Sequence, residues 1–137
     1  MAWSTINHYT PDALQTIQNV HQDNLGMVID AFHIFVRHRT ADLDGIPAER
    51  AFLVQLSDLD HDLTRDTVID TARHHRLLPG QATFPLNTIL WALQAKGYTG
   101  PIGLEVFNDD LKAQDPNQAA HAAMVAFRSV MEQASTK

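Results

Sequence analysis

The sequence contains no cysteine, and this absence restricts both how the 137-residue chain can be stabilised and which metals it can bind. Disulfide bonds and thiolate zinc sites are excluded, so stability must come from buried apolar side chains, and any metal must use histidine or oxygen ligands. Cationic residues are also few, with 10 Lys and Arg against 16 Asp and Glu, and the formal net charge is -6. This excess of acid, with the charges interspersed, argues against binding of nucleic acid or of an anionic membrane.

Long hydrophobic runs and the common catalytic motifs are missing as well. No segment approaches the roughly 18 uncharged apolar residues of a membrane span, and the N-terminus lacks the pattern of a signal peptide. There is no glycine-rich phosphate loop, no nucleophilic serine elbow and no zinc-protease helix motif. The composition, 45% hydrophobic and 19% charged, is ordinary for a soluble globular chain. We therefore expect one domain over residues 1–137, located in the cytoplasm.

Short apolar runs alternate with amphipathic segments along the chain. Runs at 27–34, 51–58 and 102–109 are rich in β-formers, which predicts strands buried on both faces. Apolar spacing and capping residues predict helices from Thr10, from Leu63, from Leu86 to Gly97 and after Asp115, with a single helical turn over 40–45. Residues 77–81 form either a turn or a very short strand. This alternation predicts β/α units around a parallel sheet, either open and doubly wound or closed as a barrel.

Each apolar run carries, three to four residues before its end, a polar side chain that a buried strand does not normally hold. These residues are Asp30, Gln55 and Glu105. A buried ionised group costs several kcal/mol unless it is paired, hydrogen-bonded or bound to metal. Two carboxylates and a carboxamide offer hard oxygen ligands that favour Mg²⁺ or Mn²⁺. The pattern predicts either a metal site at the carboxyl ends of the strands or a buried network in which Gln55 bridges two acids, one of them protonated.

Two further features are candidates for function. His33 lies three residues after Asp30 in the same apolar run and would project at about the same level, so it is either a metal ligand or acid/base, or a histidine that is merely hydrogen-bonded. The segment from Arg73 to Arg76 concentrates two arginines and two histidines. Such a cluster suits a substrate carboxylate or phosphate through bidentate arginine contacts. The alternative is a solvated helix end whose cations complement the helix dipole.

Four strings, taken together and in order, resemble one protein family. They are VIDAFH at 28–33, FLVQLSD at 52–58, RHHRLLPGQ at 73–81 and GPIGLEVFND at 100–109. The chain resembles the C-terminal half of the xylose isomerase-like (β/α)₈ barrels, the sugar phosphate isomerase/epimerase superfamily. Within that superfamily it is most similar to the bacterial 3-dehydroshikimate dehydratases. The resemblance implies an α/β fold in which the chain supplies strands five to eight of a TIM barrel with their helices.

The resemblance also implies residue roles and a reaction. Its metal ligands would be Asp30, Gln55 and Glu105, its substrate-binding residues His33, Arg73, His74 and Arg76, and its catalytic residues His33 and Glu105. The implied metal is Mg²⁺ or Mn²⁺, with Co²⁺ as a further candidate, and the implied substrate is a polyhydroxy acid or a sugar. The metal would hold carbonyl and hydroxyl oxygens while a base removes the proton alpha to the carbonyl. For a dehydratase, 3-dehydroshikimate would become protocatechuate.

This chain departs from the family pattern in ways that affect assembly and activity. The family's first metal-binding glutamate ends the fourth barrel strand, so we expect that ligand to lie outside this chain. Ala72 and Ala82 stand where serine and glycine are expected. Half a barrel leaves two open sheet edges, which predicts a homodimer or a complementing N-terminal half-barrel. The alternative function is a catalytically inactive barrel fragment that serves as a binding or oligomerisation module. A third hypothesis, an open α/β sheet that binds a nucleotide, is not supported, because the sequence has no phosphate-loop motif.

Overall fold

A computed structural model describes the backbone of residues 10–38 and 43–136 and the side chains of residues 11–36 and 43–136. The chain forms α1 (Thr10–Val20), β1 (Met27–Asp30), α2 (Ala31–His38), a 3-10 turn (Ala48–Arg50), β2 (Ala51–Leu56), α3 (Val68–His74), α4 (Leu86–Ala95), β3 (Ile102–Leu104), α5 (Asp109–Lys112) and α6 (Pro116–Ser135). The predicted helical turn over 40–45 begins outside the described residues. The side chain of Thr10, the predicted cap of α1, also lies outside them.

The three strands form one parallel sheet in the order β1-β2-β3, as the alternation of strands and helices predicts. Alternate residues of the strands, such as Ile29, Val54 and Leu56, are buried in a core shared with α4 and α6. Parallel strands with helices packed on the sheet are the arrangement of β/α units. The apolar stripe of α4 supplies Ile89 and Leu90 to this core.

The second face of the sheet differs from the prediction that the strands are buried on both sides. Val28, which faces away from the core, is 54% exposed, and Gln55 and Glu105 are half-buried. The apolar runs alone do not reveal which elements cover each face, whereas half a barrel, the fold that the resemblance implies, leaves this inner face of the sheet open. Within the described part of the chain, the helical core packs behind the strands, and the face that carries the polar side chains stays accessible.

The first strand ends four residues earlier than its apolar run predicts. β1 stops at Asp30 and α2 begins at Ala31, so residues 31–34 are helical instead of extended. The Asp30 side chain explains this boundary, because its Oδ1 accepts hydrogen bonds from the backbone N–H of Phe32 at 2.8 Å and of His33 at 3.4 Å. An aspartate that satisfies the first free N–H groups of a helix is a strong helix-starting residue. His33 therefore lies on the first turn of a helix.

The segment after α3 forms two isolated bridges, His75 with Asn108 and Leu77 with Asp58, where a fourth strand was expected from the resemblance. Leu77 and Asp58 exchange backbone hydrogen bonds of 2.9 Å in both directions, which places this segment beside the carboxyl end of β2. α3 itself is shorter than the predicted helix over 63–75. The last helix begins as predicted, since the Asp115 side chain accepts hydrogen bonds from Asn117 and Gln118 N–H and Pro116 occupies the first turn. Among the described residues, no helix is long and apolar enough to span a membrane.

Candidate active site at the carboxyl ends of the strands

The register of the sheet brings the three predicted polar residues to one place. Asp30 pairs with Gln55, and Gln55 pairs with Gly103, two residues before Glu105 on the same face. Side chains at every second position of a strand share a face, so these three project from the same side at neighbouring levels. The amide of Gln55 donates to Glu105 Oε1 at 3.3 Å. The convergence expected from the sequence is therefore present at the level of geometry.

Arg76 is the group that joins the two acids. Its Nη1 donates to Asp30 Oδ2 at 3.2 Å, to Glu105 Oε2 at 2.9 Å and to the Glu105 carbonyl at 3.3 Å. The sequence predicts, as the alternative to a metal site, a network bridged by Gln55, but the bridge between the carboxylates is this guanidinium. Because a buried pair of acids repels strongly, one cation between them lowers the cost of keeping both ionised.

Several contacts hold Arg76 independently of the acids. Its Nε donates to the Ala72 carbonyl at 2.8 Å, and its guanidinium lies 4.4 Å from the ring centre of Phe32 and 5.3 Å from that of Phe107. The backbone is fixed too, since Arg76 N–H donates to Phe107 O and Asn108 Nδ2 donates to Arg76 O, each at 3.0 Å. The side chain is 3% exposed. This is a rigid cation at the site, and its Nη2 has no partner among the described residues.

The environment shifts the pKa values of two predicted catalytic residues. Burial raises the pKa of Glu105, hydrogen bonding and repulsion from Asp30 raise it further, and Arg76 opposes the change. Burial, followed by the charge of Arg76, lowers the pKa of His33 to about 4. His33 Nε2 lies 3.8 Å from Asp30 Oδ2. The site at neutral pH thus contains an uncharged imidazole, able to accept a proton, beside a carboxyl group that holds a proton more readily than usual.

The donor set is chemically suited to a divalent ion. Asp30 and Glu105 offer carboxylate oxygens. The amide of Gln55 offers its oxygen if the amide group rotates by half a turn, which exchanges the positions of its O and NH₂. Glu105 is 31% exposed, so an ion can reach it from solvent. Within residues 10–38 and 43–136, no three His, Asp or Glu side chains are gathered closely enough to hold a metal ion by themselves. A metal here therefore requires Gln55, and the donors fit hard cations.

Comparison with known proteins identifies the family to which this site belongs. The family model described as xylose isomerase-like TIM barrel matches residues 1–130. The chain is a member of the xylose isomerase-like TIM barrel family. The fold prediction, an α/β chain that forms part of a TIM barrel, is confirmed.

Relatives and solved structures extend this result. The chain is 36% identical over 120 residues to a 3-dehydroshikimate dehydratase of Pseudomonas aeruginosa, covering 82% of this chain and 18% of that protein. It is 26% identical over 125 residues to an inosose isomerase of Bacillus subtilis, covering 88% of this chain and 43% of the relative. A xylose isomerase-like TIM barrel/4-hydroxyphenylpyruvate dioxygenase fusion protein superimposes with a TM-score of 0.79 at 29% identity, over 90% of this chain and 20% of that one.

A second solved structure supports the fold alone. The IolI protein, solved with a bound zinc atom, gives a TM-score of 0.78 at 21% identity and covers 93% of this chain and 45% of that one. The chain thus spans less than half the length of each of these relatives. Residues that complete their barrels lie outside the matched part.

The xylose isomerase-like site does not gather all of the predicted substrate residues around the carboxylates. Arg73 is exposed and makes no ion pair with any described residue. His74 Nδ1 lies 2.9 Å from Asp109 Oδ2, and both side chains are largely exposed. Of the cluster at 73–76, only Arg76 contacts the acids. Substrate contact by Arg73 and His74 stays a prediction.

Two features of the site were missed from the sequence. The rings of Phe32 and Phe107 contact the Arg76 guanidinium, and each ring follows a site acid by two residues, which is a signal visible in the strings VIDAF and LEVF. The second is Asp58, which is 1% exposed and accepts hydrogen bonds from backbone N–H groups of the loop before α4. Asp58 ends the second apolar run, but nothing in the local sequence identifies its distant partners.

Proposed function

We propose that this chain supplies part of a divalent-metal-dependent lyase or isomerase site of the sugar phosphate isomerase/epimerase superfamily. The observation that carries the proposal is the convergence of Asp30, Gln55 and Glu105 on one side of the sheet beside Arg76. The proposed activity is that of 3-dehydroshikimate dehydratase, supported by the 36% identity to the P. aeruginosa relative. The proposed cofactor is Mg²⁺ or Mn²⁺. The proposed location of the protein is the cytoplasm.

The residues of this chain divide the work according to their environments. When bound, the divalent ion supplies Lewis-acid polarisation of a substrate carbonyl. His33, uncharged at neutral pH, accepts the proton alpha to that carbonyl as the C–H bond breaks and the C=C bond forms. His33 can then give this proton to the hydroxyl that leaves as water when the C–O bond breaks, while Glu105 acts in the reaction as a ligand of the ion. The free Nη2 edge of Arg76 donates hydrogen bonds to a substrate carboxylate.

Metal-linked stabilisation tests the site directly. Saturating Mn²⁺ or Mg²⁺ should raise the melting temperature of the 137-residue chain, by several degrees for an ion present at about 100 times its dissociation constant. Asp30→Asn and Glu105→Gln should remove the increase, whereas Asp110→Asn, an exposed acid beyond the site, should retain it. The melting temperature is also measured with Zn²⁺ and with Co²⁺. The proposal is wrong if Mn²⁺, Mg²⁺, Zn²⁺ and Co²⁺ all leave the wild-type transition unchanged.

Substrate identity needs a separate assay. Mixing the metal-loaded chain with 3-dehydroshikimate and following protocatechuate by its ultraviolet absorbance should show turnover, with His33→Ala strongly reduced. If metal binds and no product forms, the 3-dehydroshikimate assignment fails while the metal site stands.

Assembly is part of the proposal, because the sheet has two open edges. β1 and β3 each pair with β2 alone among the described strands, and Val28 is 54% exposed on the site face. Open parallel edges and an exposed apolar face favour association. We propose a homodimer or a complex with a complementing N-terminal half-barrel, which would also contribute the missing glutamate. Light scattering after size-exclusion chromatography should give twice the mass of 15.3 kDa for the homodimer. A stable monomer at micromolar dilution, unchanged by the candidate N-terminal half, contradicts both assemblies.

One observation favours the second candidate, a catalytically inactive fragment that acts as a binding or oligomerisation module. Every carboxylate oxygen of Asp30 and Glu105 already has a protein partner in the absence of any ion. A network satisfied in this way does not require a metal for stability. The thermal assay separates the candidates, because the inactive module is indifferent to divalent ions.

A further inference from the structure

We propose that Arg76 is the resident cation of the carboxylate pair, and that a divalent ion binds only by taking Glu105 away from it. This inference rests on the proposed function. It assigns to Arg76 a role toward the ion: the arginine competes with the ion for Glu105, keeps the affinity for the ion modest, and loses its contact with Glu105 Oε2 once the ion is bound.

The charges and contacts at the site lead to this competition. Arg76 Nη1 lies between Asp30 Oδ2 and Glu105 Oε2, at 3.2 Å and 2.9 Å, where it occupies the approach that joins the two acids. The other oxygens are also engaged, Asp30 Oδ1 by the Phe32 N–H and Glu105 Oε1 by the Gln55 amide. An ion that uses both acids must therefore break at least one of these contacts.

Unequal anchoring decides which group moves. The guanidinium stays in place because the Ala72 carbonyl and two aromatic rings hold it without help from the acids. Asp30 is 8% exposed and is held as the cap of α2. Glu105 is 31% exposed and lies one residue beyond the end of β3, so its side chain has the most freedom. We infer that Glu105 turns from the arginine to the ion.

This movement has a consequence for ligand binding. Once Glu105 Oε2 has turned away, Nη1 keeps its contacts with Asp30 Oδ2 and the Glu105 carbonyl, and the positive charge of Arg76 is no longer balanced by Glu105. The ion thus makes the arginine a stronger partner for an anionic ligand, which gives an order of binding, cation first. A guanidinium held beside the same acids would repel a divalent ion, and even screened as in bulk water this repulsion corresponds to roughly tenfold in affinity.

Calorimetric titration with Mn²⁺ alone tests the competition. Arg76→Met should bind Mn²⁺ roughly tenfold or more tightly than the wild type. Arg128→Met is the control, since it removes the same charge from an exposed position on α6 that makes no ion pair with a described residue, and it should bind within about twofold of the wild type. Wild-type binding with equal or weaker binding by a folded Arg76→Met overturns the inference. Absence of Mn²⁺ binding in all three proteins overturns the proposed metal site as well.

A measurement on the wild type guards against misfolding of the variant. With ¹⁵N-labelled arginine, Mg²⁺ should shift the Arg76 Nη signals and speed rotation of that group, while the Nε–H bonded to Ala72 O keeps its protection from exchange. Unchanged Nη signals at saturating Mg²⁺, in a protein that calorimetry shows to bind Mg²⁺, would disprove the exchange of Glu105 from arginine to ion.

Discussion

Replacement of Asp58 by asparagine should strongly destabilise the chain, because one carboxylate organises the loop that leads into α4. Its Oδ1 accepts hydrogen bonds from the N–H groups of Leu59 at 2.8 Å and Phe84 at 2.9 Å. Its Oδ2 accepts from Gly80 and Ala82, each at 3.0 Å. Asparagine has the same shape but offers one acceptor oxygen, so one pair of backbone donors would face an NH₂ group instead.

The expected loss follows from the number and kind of bonds. Hydrogen bonds to a charged acceptor contribute about 1.5 to 3 kcal/mol each, and a donor left buried without a partner costs a similar amount. Losing the two bonds on one oxygen should therefore lower the free energy of unfolding by about 3 to 6 kcal/mol. Since a domain of this size is stabilised by roughly 5 to 15 kcal/mol in total, Asp58→Asn should be close to unfolded.

Urea denaturation followed by circular dichroism measures this loss, with the thermal midpoint as a second measure. Asp60→Asn is the control two residues along the same segment, because its side chain is exposed and its pairing is with His61 only, and it should leave the midpoint unchanged. An Asp58→Asn protein within about 0.5 kcal/mol of the wild type would refute the reasoning, because the loop would then be held by something other than these bonds.

Three further predictions rest on single features. Ser57→Ala should be neutral or stabilising by up to about 1 kcal/mol in denaturation, because the buried hydroxyl has no partner among the described residues; a loss above that size contradicts it. Without added metal, NMR should show His33 titrating near pH 4, and stability should fall by about 3 kcal/mol as pH drops from 6.5 to 4, since the unfolded state takes up the proton first; titration near 6.5 would rule this out. Gly80→Ala should lower the free energy of unfolding more than Gly45→Ala does. Both glycines have a positive φ, 81° and 75°, but of the two only Gly80 would bring an added Cβ against a side chain, 3.0 Å away. Equal losses would exclude the contact.

The parts of this fold that could be predicted depend on local chemistry. The cap at Asp115 and the apolar stripe of α4 are determined within a few residues, and both elements begin as predicted. The convergence of Asp30, Gln55 and Glu105 could also be anticipated, because polar side chains in otherwise apolar parallel strands share one end of the sheet.

The parts that escaped prediction depend on distant partners or on ambiguous patterns. A continuous apolar run fits a buried strand and a buried helix equally well, so the run after Met27 did not reveal that α2 begins at Ala31. The contact of Arg76 with Asp30 spans 46 residues, and its contact with Glu105 spans 29. No local signal in the sequence distinguishes this arginine from Arg73, and only the packing of both rings against Arg76 does so.

Asp30 pairs with Gln55, and Gln55 pairs with Gly103. The polar side chains of the site therefore also favour the correct register of the strands. If either neighbouring strand shifted by one residue, a carboxylate or an amide would point into the hydrophobic core beneath the helices. It would then lie away from the groups that now form its hydrogen bonds and ion pairs. Misaligned sheets are thereby penalised during folding by the same side chains that later meet a ligand. Mutations that neutralise them should accordingly permit slipped pairings as well as impair binding.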